Sequence, residues 1–411
     1  MPKPDTCYMI FTLSRGFAIK EHGRDGTSHA RPHTPSITPG EYLALGHALR
    51  SHIQKKSNDN TNGGKESNTT EADPNPLMSE NPLIPCPLRS HSEVTLNRCF
   101  SKRLEEKPTL QIFFMGDSKI RSIYFAFLDA TRSMKYNVTF MPPLETTRGR
   151  PKVTEEPLEH FLATRDKETV YYSDQDAAAS LRPGLLVSFR FVEFKENTKT
   201  GRSLESGLLR SWVIGTTPLP DILVIGYTSW ALILQQFIAS LSYSDALGLL
   251  MTMHKEVAPL LQQLSRKTRV LFHAETARER LGVQPEGPDA LYDFSERILQ
   301  HFLKSPLQDE PPNATDAPTP GAVPGAAKGL SESPGGAWWW DSTLPHHLAT
   351  VLECNDLYRR NLTHLKEYSD LRNNCQDQLH AGAATLDLEV AMLLNFVCNS
   401  YVQSGKRHCC S

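Results

Sequence analysis

The spacing of apolar residues predicts a buried strand that runs directly into a helix. Ile112-Phe113-Phe114-Met115 has no polar residue between its apolar ones, the pattern of a strand buried on both faces. Ile120, Ile123, Tyr124 and Phe127 then recur at helical spacing. We therefore predict a strand up to Gly116 and a helix that starts directly after Ser118.

Other apolar runs predict a series of strands separated by helices. The predicted strands are 185–192, 221–226, 269–273 and a last one from Trp338. The predicted helices are about 244–265, 289–304 and 388–402. This alternation predicts an α/β fold, in which helices cover both faces of a parallel sheet.

Two polar tracts interrupt this pattern. Residues 1–82 lack apolar periodicity, and 57–75 are too poor in apolar residues to fold, so we predict a disordered N-terminal extension. Residues 305–336 are rich in proline and glycine and predict a flexible insertion. The remainder, 83–411, is predicted to form one domain.

Composition excludes some partners. The formal charge of −2, from 44 basic and 46 acidic residues, gives no sign of a nucleic-acid surface. No stretch approaches the roughly 20 apolar residues that span a bilayer. Residues 230–241, the best candidate, contain two glutamines and predict a core helix. Residues 9–13 are too short an apolar patch for a signal peptide.

The eight cysteines show no CxxC pair and no zinc-like cluster, so we expect no metal site. An even number suits disulfides in an oxidising compartment, but free thiols in a cytosolic protein are equally compatible. The sequons at Asn68, Asn137, Asn313 and Asn361 favour the secretory pathway. For the first disulfide we expect Cys86–Cys99, across a short loop before the sheet.

The candidate chemistry lies at the carboxyl ends of the strands, where parallel sheets bind ligands. Ser118 follows the first strand, and Gly226 ends another at the same edge. A serine at this turn is a nucleophile if a histidine reaches it; otherwise the turn is structural. Asp377-x-x-His380 could hold an imidazole toward the serine, or be an exposed polar turn. A second carboxylate–histidine grouping, 341–347, is the alternative.

Five sequence blocks, in order, carry a family resemblance. The blocks are Gly116-Asp-Ser-Lys-Ile-Arg121, Gly226-Tyr-Thr-Ser-Trp230, Asp377-Gln-Leu-His380, the helix segment 391–399 and Cys409-Cys410. The first resembles the nucleophile block of SGNH-type hydrolases of the PC-esterase group. Together they resemble the luminal catalytic domain of the N-acetylneuraminate 9-O-acetyltransferases, over about residues 83–411.

The resemblance implies a three-layer α/β/α SGNH-like fold with a parallel central sheet. It also implies Ser118 as nucleophile, His380 as general base and Asp377 as the residue that orients it. The backbone N–H groups of Ser118 and Gly226 are the oxyanion donors expected by position.

Four other residues have less direct roles. SGNH enzymes add an asparagine donor that is missing here, and a hydroxyl of Thr228 or Ser229 could replace it, although a structural role is favoured for each. Arg121 could bind an anionic group, although pairing with a helix neighbour is favoured. Asp117 is expected to brace the turn.

The implied reaction is acetyl transfer from acetyl-CoA to a hydroxyl of sialic acid or its nucleotide-activated form, in the Golgi lumen, with no bound cofactor. An esterase with the same triad and a catalytically inactive luminal binding module are the alternatives. Gln378 replaces the family's glycine, which could narrow the acceptor site. The family's multi-pass membrane domain does not follow, which leaves a soluble relative, a truncated isoform or an incomplete gene model.

Overall fold

The computed structural model describes Phe11, 86–141, 153–164, 173–192, 204–227, 243–274, 337–343, 383–402 and Cys410. Its strands are β1 (Leu110–Gly116), β2 (Tyr136–Met141), β3 (Thr154–Pro157), β4 (Asp174–Ala179), β5 (Leu185–Phe191), β6 (Ile222–Gly226), β7 (Arg269–His273) and β8 (Trp338–Trp340). Its helices are α1 (Glu93–Glu106), α2 (Ser118–Ala130), α3 (Leu158–Thr164), α4 (Leu204–Ile214), α5 (Tyr243–Leu264) and α6 (Ala383–Cys398), with a 3₁₀ turn at Arg132–Met134.

These strands form one mixed sheet in the order β3-β2-β4-β5-β1-β6-β7-β8. The predicted α/β class is confirmed, and β5, β1, β6, β7 and β8 pair in parallel. The sheet as a whole is mixed, because β2, β3 and β4 form an antiparallel wing beside β5. Apolar runs could not reveal this wing, since strands such as Thr154–Pro157 are mostly polar.

Most of the predicted elements that lie in the described residues are confirmed. The strands at 185–192, 221–226 and 269–273 match β5, β6 and β7 within one residue. The helix predicted from 244 to 265 is α5, and the one predicted from 388 begins five residues earlier. The predicted helices at 230–241 and 289–304 and the tract 305–336 lie outside the described residues.

Alternate residues of β1 belong to two separate cores. Ile112 and Phe114 pack in one core with apolar residues of α1, α2 and α6. Phe113 and Met115 pack in the other with residues of α4 and α5. The ring of Phe113 lies edge-on to Trp212 of α4, with centroids 4.8 Å apart. Burial on both faces explains why β1 has no apolar–polar alternation.

Phe11 packs into the core that contains Ile112 and Phe114, which we call the first core, although it belongs to none of the strands. Its ring lies edge-on to Trp340 and Phe396, with centroids 5.0 Å and 5.7 Å away, and its side chain is fully buried. Its carbonyl oxygen accepts hydrogen bonds from the backbone N–H groups of Asp341 and Ser342. The segment just after β8 is therefore anchored by a residue more than 300 positions earlier.

A disulfide joins α1 to α6 through Cys99 and Cys398, which are 299 residues apart. The expected Cys86–Cys99 bond is therefore wrong. Cys99 lies on the buried face of α1, against which α6 packs, and this packing brings Cys398 to it. Cys86 and Cys410 are also disulfide-bonded.

None of the helices in the described part of the chain is long and apolar enough to cross a membrane.

Candidate active site

Ser118 is the first residue of α2 and follows the carboxyl end of the central strand β1. The side chain of Asp117 accepts a hydrogen bond from the backbone N–H of Lys119 at 2.8 Å, and so caps the helix. Asp117 is itself buried. The predicted bracing role of Asp117 is thus confirmed, and Ser118 sits where helix N–H groups and the helix dipole favour negative charge.

Gly116 and Gly226 bring two strand ends into contact at this edge. The two glycines are paired across β1 and β6. A Cβ atom on Gly116 would overlap the carbonyl oxygen of Gly226 and would lie 2.5 Å from Cγ1 of Ile120. Only glycine fits at position 116. The pairing of Gly116 with Gly226 confirms the prediction that the Ser118 turn and the end of the Gly226 strand are neighbours.

Arg121 is buried in the first turn of α2. Its guanidinium lies 6.0 Å from the ring centroid of Phe191, the last residue of β5. Its side chain therefore reaches from α2 to the end of β5, at the same edge of the sheet as Ser118. Its roles in anion binding and in pairing with a helix neighbour both stay predictions.

Tyr227 fixes the backbone that follows Gly226. Its hydroxyl lies 3.3 Å from Nδ1 of His254 on α5, and its ring is edge-on to Phe272 with centroids 5.6 Å apart. Burial lowers the pKa of His254 to about 3, so the ring is neutral at ordinary pH. A neutral histidine in the core holds the residue next to the proposed oxyanion donor. Sequence reasoning did not single out this pair.

Sequence reasoning also did not predict a buried ionisable pair at the end of β7. Nε2 of His273 lies 2.7 Å from Oε1 of Glu389, and the hydroxyl of Thr343 donates to the same oxygen at 3.1 Å. The side chains of His273 and Glu389 are both almost fully buried. The sequence offered one weak signal, an acidic residue among the mostly apolar residues of the segment Leu386–Val397.

This contact sets the direction of α6. Glu389, in its second turn, lies at the carboxyl end of β7. At the other end of α6, the carbonyl of Val397 accepts from Arg103, and the hydroxyl of Tyr401 donates to Glu106. Because α1 leads into the amino end of β1, α6 begins near the carboxyl edge of the sheet and runs toward the amino edge.

The remaining predicted site residues are Asp377, His380, Thr228 and Ser229, and all four lie outside the described residues. His380 precedes the first residue of α6 by three positions. Of the predicted site, the structure therefore describes Ser118, Gly226 and Arg121, and it brings them to one edge of the sheet.

A charged cluster lies beyond Arg121 at the end of β5. Arg190 donates two hydrogen bonds to the carboxylate of Asp176, at 3.0 Å and 2.9 Å. Asp174 accepts a hydrogen bond from the backbone N–H of Phe191 at 3.3 Å. Burial raises the pKa of Asp174, and Arg190 partly offsets this. The cluster makes this end of β5 polar, two strands away from Gly226.

Among the residues that the structure describes, no group of three His, Cys, Asp or Glu side chains could hold a metal ion. Comparison of the chain with protein-family models, curated proteins and solved structures found no match. The family resemblance of the five sequence blocks therefore rests on those blocks alone.

Proposed function

We propose that this chain is an O-acetyltransferase of the SGNH type that uses Ser118 as its nucleophile. The observation that carries the proposal is the position of Ser118 at the start of α2, beside the contact between Gly116 and Gly226. A hydroxyl at a capped helix N-terminus, next to a second strand end, is the arrangement in which an attacked carbonyl can be stabilised as an oxyanion.

In the proposed first step, the Ser118 oxygen attacks the acetyl carbonyl of acetyl-CoA. His380 takes the serine proton and passes it to the departing thiolate, so that free CoA and acetyl-serine remain. Asp377 holds the imidazole in the required orientation. The backbone N–H groups of Ser118 and Gly226 stabilise the oxyanion, with Ser229 or Thr228 as a further donor.

The direction of α6 supports the role of His380. The first turns of α6 lie at the carboxyl edge of the sheet, where Glu389 contacts the end of β7. In sequence, His380 precedes the start of α6 by three residues. α6 packs on α2, the helix that Ser118 begins, so the start of α6 lies on the same face of the sheet as α2.

In the second step, His380 removes a proton from a sugar hydroxyl, which attacks the acetyl-serine and regenerates Ser118. The choice of sialic acid, or its nucleotide-activated form, as acceptor follows from the family resemblance, as do the three-layer α/β/α arrangement and the Golgi lumen. Disulfide bonds at Cys86, Cys99, Cys398 and Cys410 support a compartment that is oxidising.

Two assays with the full chain test the proposal. The chain is offered a chromogenic acetyl ester, and then acetyl-CoA with nucleotide-activated sialic acid. Ser118→Ala is compared with Ser122→Ala, because the Ser122 hydroxyl bonds the Ser118 carbonyl one turn away and has no proposed chemical role. We expect sugar acetylation that Ser118→Ala abolishes and Ser122→Ala largely preserves.

The alternatives give different results in the same assays. Ester cleavage without sugar acetylation would identify an esterase, in which water takes the acetyl group from Ser118. Activity that is indifferent to Ser118→Ala would contradict both enzymatic readings. Binding of the sugar without any turnover would identify a catalytically inactive binding module.

A further inference from the structure

Strand β2 carries a sequon whose asparagine and threonine face away from the core. Tyr136, Val138 and Phe140 are buried in the first core, whereas Asn137 and Thr139 alternate with them on the opposite face and are only half-buried. The acceptor asparagine and the hydroxyl residue of Asn137-Val-Thr139 therefore share one face of the sheet, and only the central valine is packed.

The surroundings of Asn137 on this face are open and polar. Its Nδ2 donates to Oε1 of Glu155 in β3 at 3.5 Å, an exposed contact. On the other side its partner in the ladder is Ala178 of β4, which is exposed. The side-chain amide is thus held by one long hydrogen bond, and its ladder partners on both sides, Pro157 and Ala178, are exposed.

The cysteines independently point to the compartment in which oligosaccharides are added. All four cysteines in the described residues are disulfide-bonded, and the Cys99–Cys398 bond closes a span of 299 residues within the first core. Structural disulfides of this kind persist in the secretory pathway and are rare in the cytosol. A sequon is glycosylated only in that same compartment.

We propose that Asn137 is an N-glycosylation site. Its Nδ2 forms a bond to C1 of an oligosaccharide carried on a polyprenyl pyrophosphate, supplied by the host's glycosylation machinery. The bond from C1 to the pyrophosphate oxygen breaks, the lipid pyrophosphate leaves with the electron pair, and the amide nitrogen gives up one proton. The product is a glycosyl-asparagine that projects from the polar face of β2.

A glycan at this position also protects the edge of the sheet. β3 is the outermost strand next to β2, and it is only four residues long. An exposed strand edge can pair with another chain, and bulky or charged groups oppose that pairing. The glycan on Asn137 lies one strand away from this edge and adds to the protection given by Glu155 and Glu156.

The test expresses the full chain behind a cleavable secretory leader in animal cells, which ensures entry into the secretory pathway. Enzymatic removal of N-glycans in heavy-oxygen water converts an occupied asparagine into a labelled aspartate, which peptide mass spectrometry locates. We expect label at Asn137 and a gel shift that Asn137→Gln reduces by one glycan. This result does not depend on whether Ser118 is catalytic.

Two substitutions of Thr139 provide the matched control. Thr139→Ser keeps the sequon and should keep the glycan, whereas Thr139→Val keeps the β-branched shape and should lose it. Recovery of the Cys99–Cys398 peptide shows that each variant has folded. An unlabelled Asn137 in secreted, disulfide-bonded protein, or label confined to other sequons, would overturn the proposal.

Discussion

The imidazole of His273 and the carboxylate of Glu389 form a pair, 2.7 Å apart, that is withdrawn from solvent. Their side chains are 1% and 0% exposed, and the hydroxyl of Thr343 makes a second polar contact to Glu389. A buried carboxylate is costly unless its partners satisfy it. The pair therefore ties the start of α6 to the end of β7.

Removing one member of this pair should destabilise the fold strongly. Glu389→Ala is expected to lower the free energy of unfolding by about 3–5 kcal/mol, because His273 is left buried without the carboxylate. Urea denaturation measures the change. Glu159→Ala, at an exposed position of α3, is the control and should change it by no more than about 0.5 kcal/mol. Equal effects of the two substitutions would contradict the prediction.

Gly116 should not tolerate a side chain. Gly116→Ala places a methyl group on the carbonyl oxygen of Gly226, a backbone atom that cannot move without separating β1 from β6. We expect a loss of stability and of any Ser118-dependent turnover. Gly248→Ala is the matched control, since nothing lies within 4 Å of its Cβ position in the helix α5. Alanine there should stabilise the protein by about 0.5–1 kcal/mol.

Acid should unfold the protein in part through His254. Its pKa falls from an ordinary 6.5 to about 3 in the folded chain, so the unfolded chain binds the extra proton between these values. The contribution of neutral His254 to the free energy of unfolding is therefore complete above pH 6.5. It is lost as the pH falls toward 3. The free energy of unfolding should decrease by at most about 1.4 kcal/mol per pH unit from this group.

The variant His254→Asn isolates that contribution. Asparagine keeps a polar atom near Tyr227 but does not titrate, so the difference in unfolding free energy between variant and wild type should shrink as the pH is lowered. Denaturant titrations at several pH values from about 4 to 7 supply the comparison. A pH-independent difference would show that His254 is not the titrating group.

Phe11 should matter for stability despite its distance from the sheet in sequence. Phe11→Ala removes a fully buried ring from contact with Trp340 and Phe396 and should cost about 3–5 kcal/mol. Thermal unfolding measures it. Val94→Ala, at a position that is 70% exposed, should have little effect. If both substitutions leave the melting temperature unchanged, the contacts of Phe11 do not contribute.

The elements that could be predicted from the sequence are those whose pattern lies within a few neighbouring residues. The parallel strands β6 and β7 carry apolar runs that are buried along their whole length, because both of their faces are covered. The turn at Ser118 and its meeting with Gly226 follow from two strands that end in glycine at one edge. These signals need no knowledge of distant parts of the chain.

The features that were missed depend on pairings between distant residues. His273 and Glu389 are 116 positions apart, and neither has a neighbour in sequence that indicates the other. Cys99 could have bonded any of seven other cysteines, and its choice of Cys398 follows from the packing of α6 on α1. The antiparallel wing is similar, since its strands are recognisable only when aligned with their partners.

The disulfide between Cys99 and Cys398 has a topological consequence. Every strand described, from Leu110 to Trp340, lies between the two linked cysteines, so the sheet is contained in a covalently closed ring. A single cut by a protease anywhere inside that ring opens the chain without dividing the molecule. The nicked protein would run as one species on a gel until a reductant separates it into two pieces.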